Sequence, residues 1–343
     1  MSPRYQAAAA MRYQKLDLNL LSALKVLLEK RNVTRAGEAL HVSQSAMSGI
    51  LARLRDYFED PLIVQVGRKM ELTPLAESLL EPVTDILVRI DTTIHSRPEH
   101  DPASMRRHFT FVASDYVSAV FLCGVLRDVH KEAPGISWKF RQPSAHTASQ
   151  LDSGDVDFII CPDQHASSTQ SKTMLFDDSY VIAIDRDNTE IGDTISLDQY
   201  MAAGHVSFQT GNDGVPMFES WFSGRYGEQA RRIEVSVNSF HLLPHLIAGT
   251  NRVATLHARM ADSYLKNLPL RTVKPLFEMP RLMEVLQWHR HRDLDPGTQW
   301  VRQKIIAMAQ QMPAIDTLYP SLLPRGGSAS VVPMKRLGRQ AHG

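Results

Sequence analysis

Between Asp17 and Phe58 the apolar residues fall on three successive helical stripes separated by very short turns, and this compression restricts the fold more than any other feature of the chain. Asp17 is placed to cap a first helix in which Leu20, Leu21, Leu24, Leu27 and Leu28 recur at helical spacing and make one buried face. That helix should end near Lys30. Asn32 can cap a second, VTRAGEAL, whose Val33, Ala36, Ala39 and Leu40 are small enough for close packing. His41 and Val42 make a turn, and Ser43 caps a third helix, QSAMSGILARLRDYF, with Met47, Ile50, Leu51, Leu54 and Phe58 on its apolar side. Two short helices around a tight turn form a helix-turn-helix.

The outward face of the third helix carries Ser45, Ser48, Gly49, Ala52 and Arg53, flanked by Gln44 and Arg55. Small side chains among hydrogen-bonding ones suit a helix pressed into a major groove, because bulky groups would hold its backbone away from the base edges. Gln44 is suited to adenine, Arg53 to guanine or phosphate, and the free N–H groups near Ser43 and Gln44 to phosphate. The alternative is a structural helical hairpin with solvated small residues. The chain as a whole is nearly neutral, 38 Lys+Arg against 37 Asp+Glu, so a nucleic-acid contact has to come from a local face. Residues 11–58 supply one, with eight basic residues against four acidic. We expect DNA contacts from Thr34, Arg35, Ser43, Gln44, Ser45, Ser48 and Arg53, and from the basic pair Arg68 and Lys69 beyond the third helix.

Thr73 and Pro74 read as an N-cap and first-turn proline opening a helix to about residue 97. Its Ala76, Leu79, Val83, Ile86, Ile90 and Thr93 alternate spacings of three and four, a short heptad seam in which Leu79, Val83, Ile86 and Ile90 would join two copies of the chain. The other reading is a helix packed on its own subunit. Pro82 should kink it. After a hinge-like SRPEHDPASMRR, the pattern changes at His108 to alternating strands and helices, which implies a parallel sheet with crossover helices. Ligands in such sheets lie outside the carboxyl ends of the strands. Here those positions are Ser114 and Asp115, Pro162 and Asp163, Phe208 and Gln209, Asn238 to Phe240, and Thr255 to His257. Polar groups among aromatics suit a small, flat, partly anionic ligand, with a helix starting at Asn238, Ser239 and Phe240 as a receiver for a carboxylate or phenolate. Each of these residues could equally serve in capping or core packing.

The stretch LDLNLLSALKVLLEKRNVTRAGEALHVSQSAMSGILARLRDYFEDPLIVQVGRKMELTPLAE resembles the N-terminal domain of LysR-type transcriptional regulators, particularly the branch of nodulation and aromatic-catabolism regulators. SQSAMS sits where that family has its SQPAVS-like start of the recognition helix, with Ser45 in place of the usual proline. PLIVQVGRKMELTP resembles the wing, with Gln65 where an arginine is common. The resemblance runs to about residue 312. It implies an α/β chain with a largely α-helical winged helix-turn-helix at residues 11–72, a dimerising linker helix at 73–97, and an effector-binding domain at 98–312. That last domain would consist of two periplasmic-binding-protein-like α/β subdomains, 105–162 plus 270–312 and 163–269, with an effector between them contacting Ser114, Asp115, Asp163, Phe208, Asn238, Ser239, Phe240 and Thr255. The expected partners are promoter DNA, a small aromatic or phenolic effector, a second copy in a dimer or tetramer, and RNA polymerase. The expected output is activation; an effector-independent repressor with a vestigial cleft, or an α/β solute-binding protein or enzyme carrying an accessory helix-turn-helix, are the alternatives.

Residues 1–10 read as an N-terminal extension before a second methionine, Met11, and residues 313–343, rich in Pro, Gly and Ser, as a disordered tail. No signal-peptide pattern or membrane-length apolar run occurs, so a cytoplasmic protein with no membrane partner is expected. Cys123 and Cys161 are expected to be buried thiols, a single disulfide being the alternative. The string WHRHRD places His289, His291 and Asp293 at alternate positions, but Arg290 and Arg292 between them oppose a cation, so no metal is assigned. No catalytic motif is found and no cofactor is expected; His241, His245 and His257 could tune the protonation of a ligand.

Overall fold

The computed structural model describes residues 17, 19–67, 69–95, 101–209, 216–227 and 231–318. Helices α1 (Asn19–Lys30), α2 (Val33–Ala39) and α3 (Gln44–Phe58) are followed by a hairpin of β1 (Ile63–Val66) and β2 (Lys69–Leu72) and by the long helix α4 (Pro74–His95). The expected caps are all made: the Asn32 side chain accepts from the Arg35 N–H at 3.0 Å, Ser43 from Ala46 at 3.2 Å and Thr73 from Ala76 at 3.1 Å. Leu24, Leu27, Met47 and Leu54 are fully buried in one core, which the near end of α4 closes with Ala76 and Val83. Arg55 is part of this scaffold: its guanidinium donates to the carbonyls of Pro61 at 2.8 Å and Ile63 at 3.1 Å and ties α3 to the wing strand. The proline within α4, Pro82, lies inside one uninterrupted helix.

The second domain is built on β3 (His108–Val112), β4 (Ser137–Arg141), β5 (Phe158–Pro162), β6 (Ser171–Asp185), β8 (Gly204–Phe208), β9 (Arg232–Val237), β10 (Val253–His257), β11 (Leu270–Pro275) and β12 (Arg281–Trp288), with a two-residue β7 (Thr194–Ile195). The strand order is β4-β3-β5-β12-β6-β10-β8-β9. The parallel β3, β4 and β5 form one half and the parallel β8, β9 and β10 the other. Strand β6 serves both: Ser171–Ser179 pair with β12, and Tyr180–Ile184 with β10. Two helical joints cover the first half, α5 (Asp115–Val117) running through a π-turn into α6 (Cys123–Glu132), and α7 (Thr147–Asp152). The second half carries α8 (Leu197–Ala202), α9 (Met217–Tyr226), α10 (Leu242–Ile247) and α11 (Ala258–Leu265), and α12 (Pro296–Gln310) and α13 (Ile315–Leu318) finish the described chain.

This topology moves two expected boundaries. β11 pairs with the far end of β6 through Leu270–Asp185 and Val273–Ile182, so residues 270–275 lie with the second half and the chain returns to the first only at β12. The change of half falls within β6, at Ser179, and not at residue 163, because a single long strand can pair with different neighbours along its length. The first residues assigned to the tail are folded: Ile315 is fully buried and Asp316 pairs with Arg281 at 2.5 Å. Residues 1–10 and 319–343 lie outside the described residues.

Candidate functional site

The outward face of α3 has the composition read from the sequence. Ser43, Gln44, Ser45, Gly49, Ala52 and Arg53 are exposed and Ser48 half-buried. Their hydroxyls and amides are linked, Ser43 to Ser45 at 2.9 Å and Gln44 donating to Ser48 at 3.2 Å. Arg53 leans back to Asp17 at 3.5 Å, a contact between exposed groups. Thr34 and Arg35 are exposed at the start of α2, and Lys69 is exposed on the wing; Arg68 lies outside the described residues.

Helix α4 presents three faces. Leu79 and Val83 turn into the winged-helix core beside Leu80 and Leu87, so half of the expected seam is packed on its own subunit. Ile86 is 44% exposed and Ile90 half-buried, and Leu75 joins Ile86 on the open side. The third face docks on the effector domain through Asp85, which accepts from Arg290 at 2.5 Å and faces His291 at 3.0 Å and His289 at 3.5 Å. Burial would raise the Asp85 pKa, yet the hydrogen bonds of Arg290 and His291 hold it below the usual carboxylate range. Lys25 of α1 extends this contact, donating to the Ser153 carbonyl at 2.7 Å. The WHRHRD string is therefore a ledge for the linker helix. Its residues 290–292 form a 3-10 turn, while Asp293 accepts from the Trp288 indole N–H at 2.6 Å. No group of residues suited to a metal is found among the described residues.

Between the halves of the mixed sheet lies a cavity of about 600 Å³. Ser114, Phe208, Asn238, Phe240 and Thr255 line it as expected. Phe208 and Phe240 stack with centroids 3.8 Å apart and an interplanar angle of 11°. Three expected residues do not line it. Asp115 instead accepts from the Ser239 hydroxyl at 2.7 Å, a bond across the mouth between the two halves, and Asp163 pairs outside with Lys172 at 2.6 Å. Nor do Asn238 to Phe240 open a helix: they form a turn, and α10 starts at Leu242 without a side-chain cap, so the expected anion-receiving helix start is not formed. Cys161 lines the cavity as a free thiol pushed up to about 12 by burial, and Cys123 is free and exposed, not buried.

The cavity's polar groups were mostly missed from the sequence. Tyr116 stacks on His257 at 3.8 Å and 11° and donates a short hydrogen bond to Asp178. Asp178 also accepts from the Ser179 N–H at 2.7 Å, but burial outweighs these bonds and raises its pKa to about 6. Arg231 pairs with Glu219 on the wall, donates to the Tyr200 hydroxyl at 2.8 Å and lies 4.9 Å from the Phe222 ring centroid. Tyr200 in turn bonds Thr255 at 2.6 Å, so the Thr255 hydroxyl already has a partner. Burial drives His257 down to about 3 and keeps it neutral, whereas Glu284 is raised to about 8, first by burial and then by the nearby Asp178. A signal for Glu284 was present: it takes an inward position with Leu282 and Leu286 on a strand whose other inward residues are apolar. His241, by contrast, is engaged with Tyr264 at 2.6 Å.

A reading helix with a wing, a linker helix and a two-lobed mixed sheet around a cavity define a bacterial regulator. Residues 18–77 match the bacterial regulatory helix-turn-helix family of lysR type, and residues 102–310 the LysR substrate-binding domain. The chain belongs to the LysR family of DNA-binding transcriptional regulators. It is 37% identical to nodulation protein D 1 of Bradyrhizobium diazoefficiens over 91% of this chain and 99% of that protein. To nodulation protein D 1 of Rhizobium meliloti it is 38% identical over 90% and 100%. The fold is shared with full-length OxyR of Pseudomonas aeruginosa, at TM-score 0.63 and 16% identity over 86% of this chain and 95% of that one. It is shared as well with LysG of Corynebacterium glutamicum, at TM-score 0.58 and 17% identity over 86% and 98%. No helix among the described residues is long and apolar enough to cross a membrane.

Proposed function

We propose that this LysR-type regulator acts in the cytoplasm as an activator that binds promoter DNA as a dimer or dimer of dimers, engages RNA polymerase, and responds to a small aromatic, phenolic effector in the cavity between its two halves. The observation that carries the effector assignment is the stacked Phe208–Phe240 wall on a cavity whose other lining is largely apolar. Burial of a flat ring against this wall supplies affinity, and polar groups such as Asn238 orient its oxygens. An effector shifts a conformational equilibrium only by binding one state better than the other, and this cavity offers contacts from both halves, Ser114 from the first and Phe208 and Asn238 from the second. The solved LysG structure holds arginine as its effector, so the fold itself does not dictate an aromatic ligand. On the DNA side, α3 supplies base contacts from Gln44, Ser48 and Arg53, with phosphate contacts from Ser43, Thr34, Arg35 and Lys69. The open side of α4, with Ile86 and Ile90, joins two copies.

Thermal unfolding of the full chain in a panel of phenols, flavonoids, quinols and benzoates tests the effector assignment, since a ligand that binds only the native state raises the melting temperature. At least one aromatic compound should do so. Stabilisation by a sugar, an amino acid or a nucleotide, with no aromatic compound active, would overturn it.

A further inference from the structure

Glu284 is only 2% exposed and lines the cavity, and its Oε2 has no hydrogen-bond partner. It sits in the central strand β12, opposite Pro162 of β5 on one side and Phe176 of β6 on the other. A buried carboxyl oxygen with no protein partner is open to a ligand that supplies one. A second such atom belongs to the same lining, Nδ1 of His257, also without a protein partner. The cations near them are already engaged: behind the lining, Arg259 adjoins Asp178 but turns its guanidinium to Asp177, donating to the Asp177 carbonyl at 2.9 Å. Among the described lining residues the only arginine or lysine is Arg231, and it is held by Glu219, while Asp178 stands behind Tyr116.

Resting on the proposed aromatic effector, we infer that Glu284 is the specificity-determining residue of the cavity: it exchanges a hydrogen bond with an uncharged hydroxyl of the ligand and excludes ligands that carry a carboxylate. A hydroxyl satisfies Glu284 in either protonation state, donating to the carboxylate or accepting from the acid. A ligand carboxylate would enter a site without a free cation and give up its water for a neighbourhood of buried acids, which is costly in a low dielectric.

Three matched two-ring probes separate the possibilities on the full chain: naphthalen-2-ol, 2-methoxynaphthalene and naphthalene-2-carboxylate, titrated by their own fluorescence slightly above the value of about 8 to which Glu284 is raised, where its carboxyl is mostly ionised and accepts from a hydroxyl only. The naphthol should bind about tenfold more tightly than the methyl ether, which cannot donate, and at least about tenfold more tightly than the carboxylate, one hydrogen bond or one unpaired charge being of that order. In Glu284→Gln, which keeps shape and hydrogen bonding and removes the acid, the preference for naphthol over carboxylate should shrink about tenfold. The comparison within the parent chain needs no variant, so a variant that fails to fold leaves the test standing. Carboxylate binding as tight as naphthol binding in the parent overturns the role of Glu284 while leaving the aromatic cavity intact. Binding of none of the three overturns the aromatic reading, and this inference with it.

Discussion

Helix α3 presents small, mostly exposed side chains, Ser45, Ser48, Gly49 and Ala52, whereas the cavity between the lobes presents groups almost wholly removed from water, Tyr116, Tyr180, His257 and Glu284. In the proposed reading the first surface pairs with a charged, hydrated polymer whose groove imposes its shape, so small size is what recognition requires. The second, as the proposed effector site, would have to desolvate a small molecule, so its selectivity would reside in buried polar atoms that no other protein group engages. One region is thus tuned by what it omits and the other by what it leaves unsatisfied, and substitutions should separate the two.

The largest effect should follow from the winged-helix core. Leu54 is fully buried there, and Leu54→Ala should cost the N-terminal domain about 2 to 5 kcal/mol and abolish operator binding. Aromatic-probe binding by the same variant should persist, because the cavity shares no side chain with that core. Parallel loss of both, measured by gel shift and by probe fluorescence, would show that the two regions fold as one unit through the Asp85 ledge.

Ile86→Asp places a charge on the open side of α4 and should weaken operator affinity about tenfold or more through lost pairing, with α3 untouched. Sedimentation of the variant should show a shift towards monomer. An unchanged dimer would move the pairing surface elsewhere. Ser48→Ala should have a smaller and more selective effect: about 1 to 3 kcal/mol of discrimination between operator and random DNA, read from competition binding. Equal weakening on both DNAs would make Ser48 a phosphate contact.

The smallest effect concerns stability in the absence of ligand. Glu284 has its pKa raised from 4.5 to about 8 in the native chain, so between these values the native state holds a proton that the unfolded state has released. Its contribution to stability therefore falls as pH rises through that window. Asp178, raised to about 6, acts in the same direction over a narrower range. Glu284→Gln removes the first contribution, and its melting temperature relative to the parent should climb by a few degrees from about pH 5 to about pH 8. A pH-independent difference would mean that Glu284 does not titrate in this range.

What could be read from the sequence divides along the same line. The caps at Asn32, Ser43 and Thr73 and the composition of the α3 face are local features, set by residues within a few positions of one another, and all were legible. The strand ends at Ser114, Phe208, Asn238 and Phe240 were legible from the alternation of strands and helices. Long-range pairing was not. The crossing of β6 between halves, the contact of Arg290 with Asp85 over 205 positions and the Tyr116–Asp178 bond over 62 depend on register between distant segments, which no local periodicity encodes. Leu79 and Val83 carry a heptad spacing that serves equally for pairing with a second chain or with the winged-helix core, and the packing of α1 against α4 decided for the core.

Occupancy of the cavity should alter how the reading helices sit on DNA. Nuclease footprinting of the full chain on its operator, with and without an aromatic compound that raises its melting temperature, tests this directly. The protected region or its hypersensitive sites should change at saturating compound, and Phe240→Ala should raise the concentration needed about tenfold by removing half of the stacked wall. A footprint that is identical with and without the compound, while thermal unfolding shows the compound bound, would contradict the coupling between cavity and DNA.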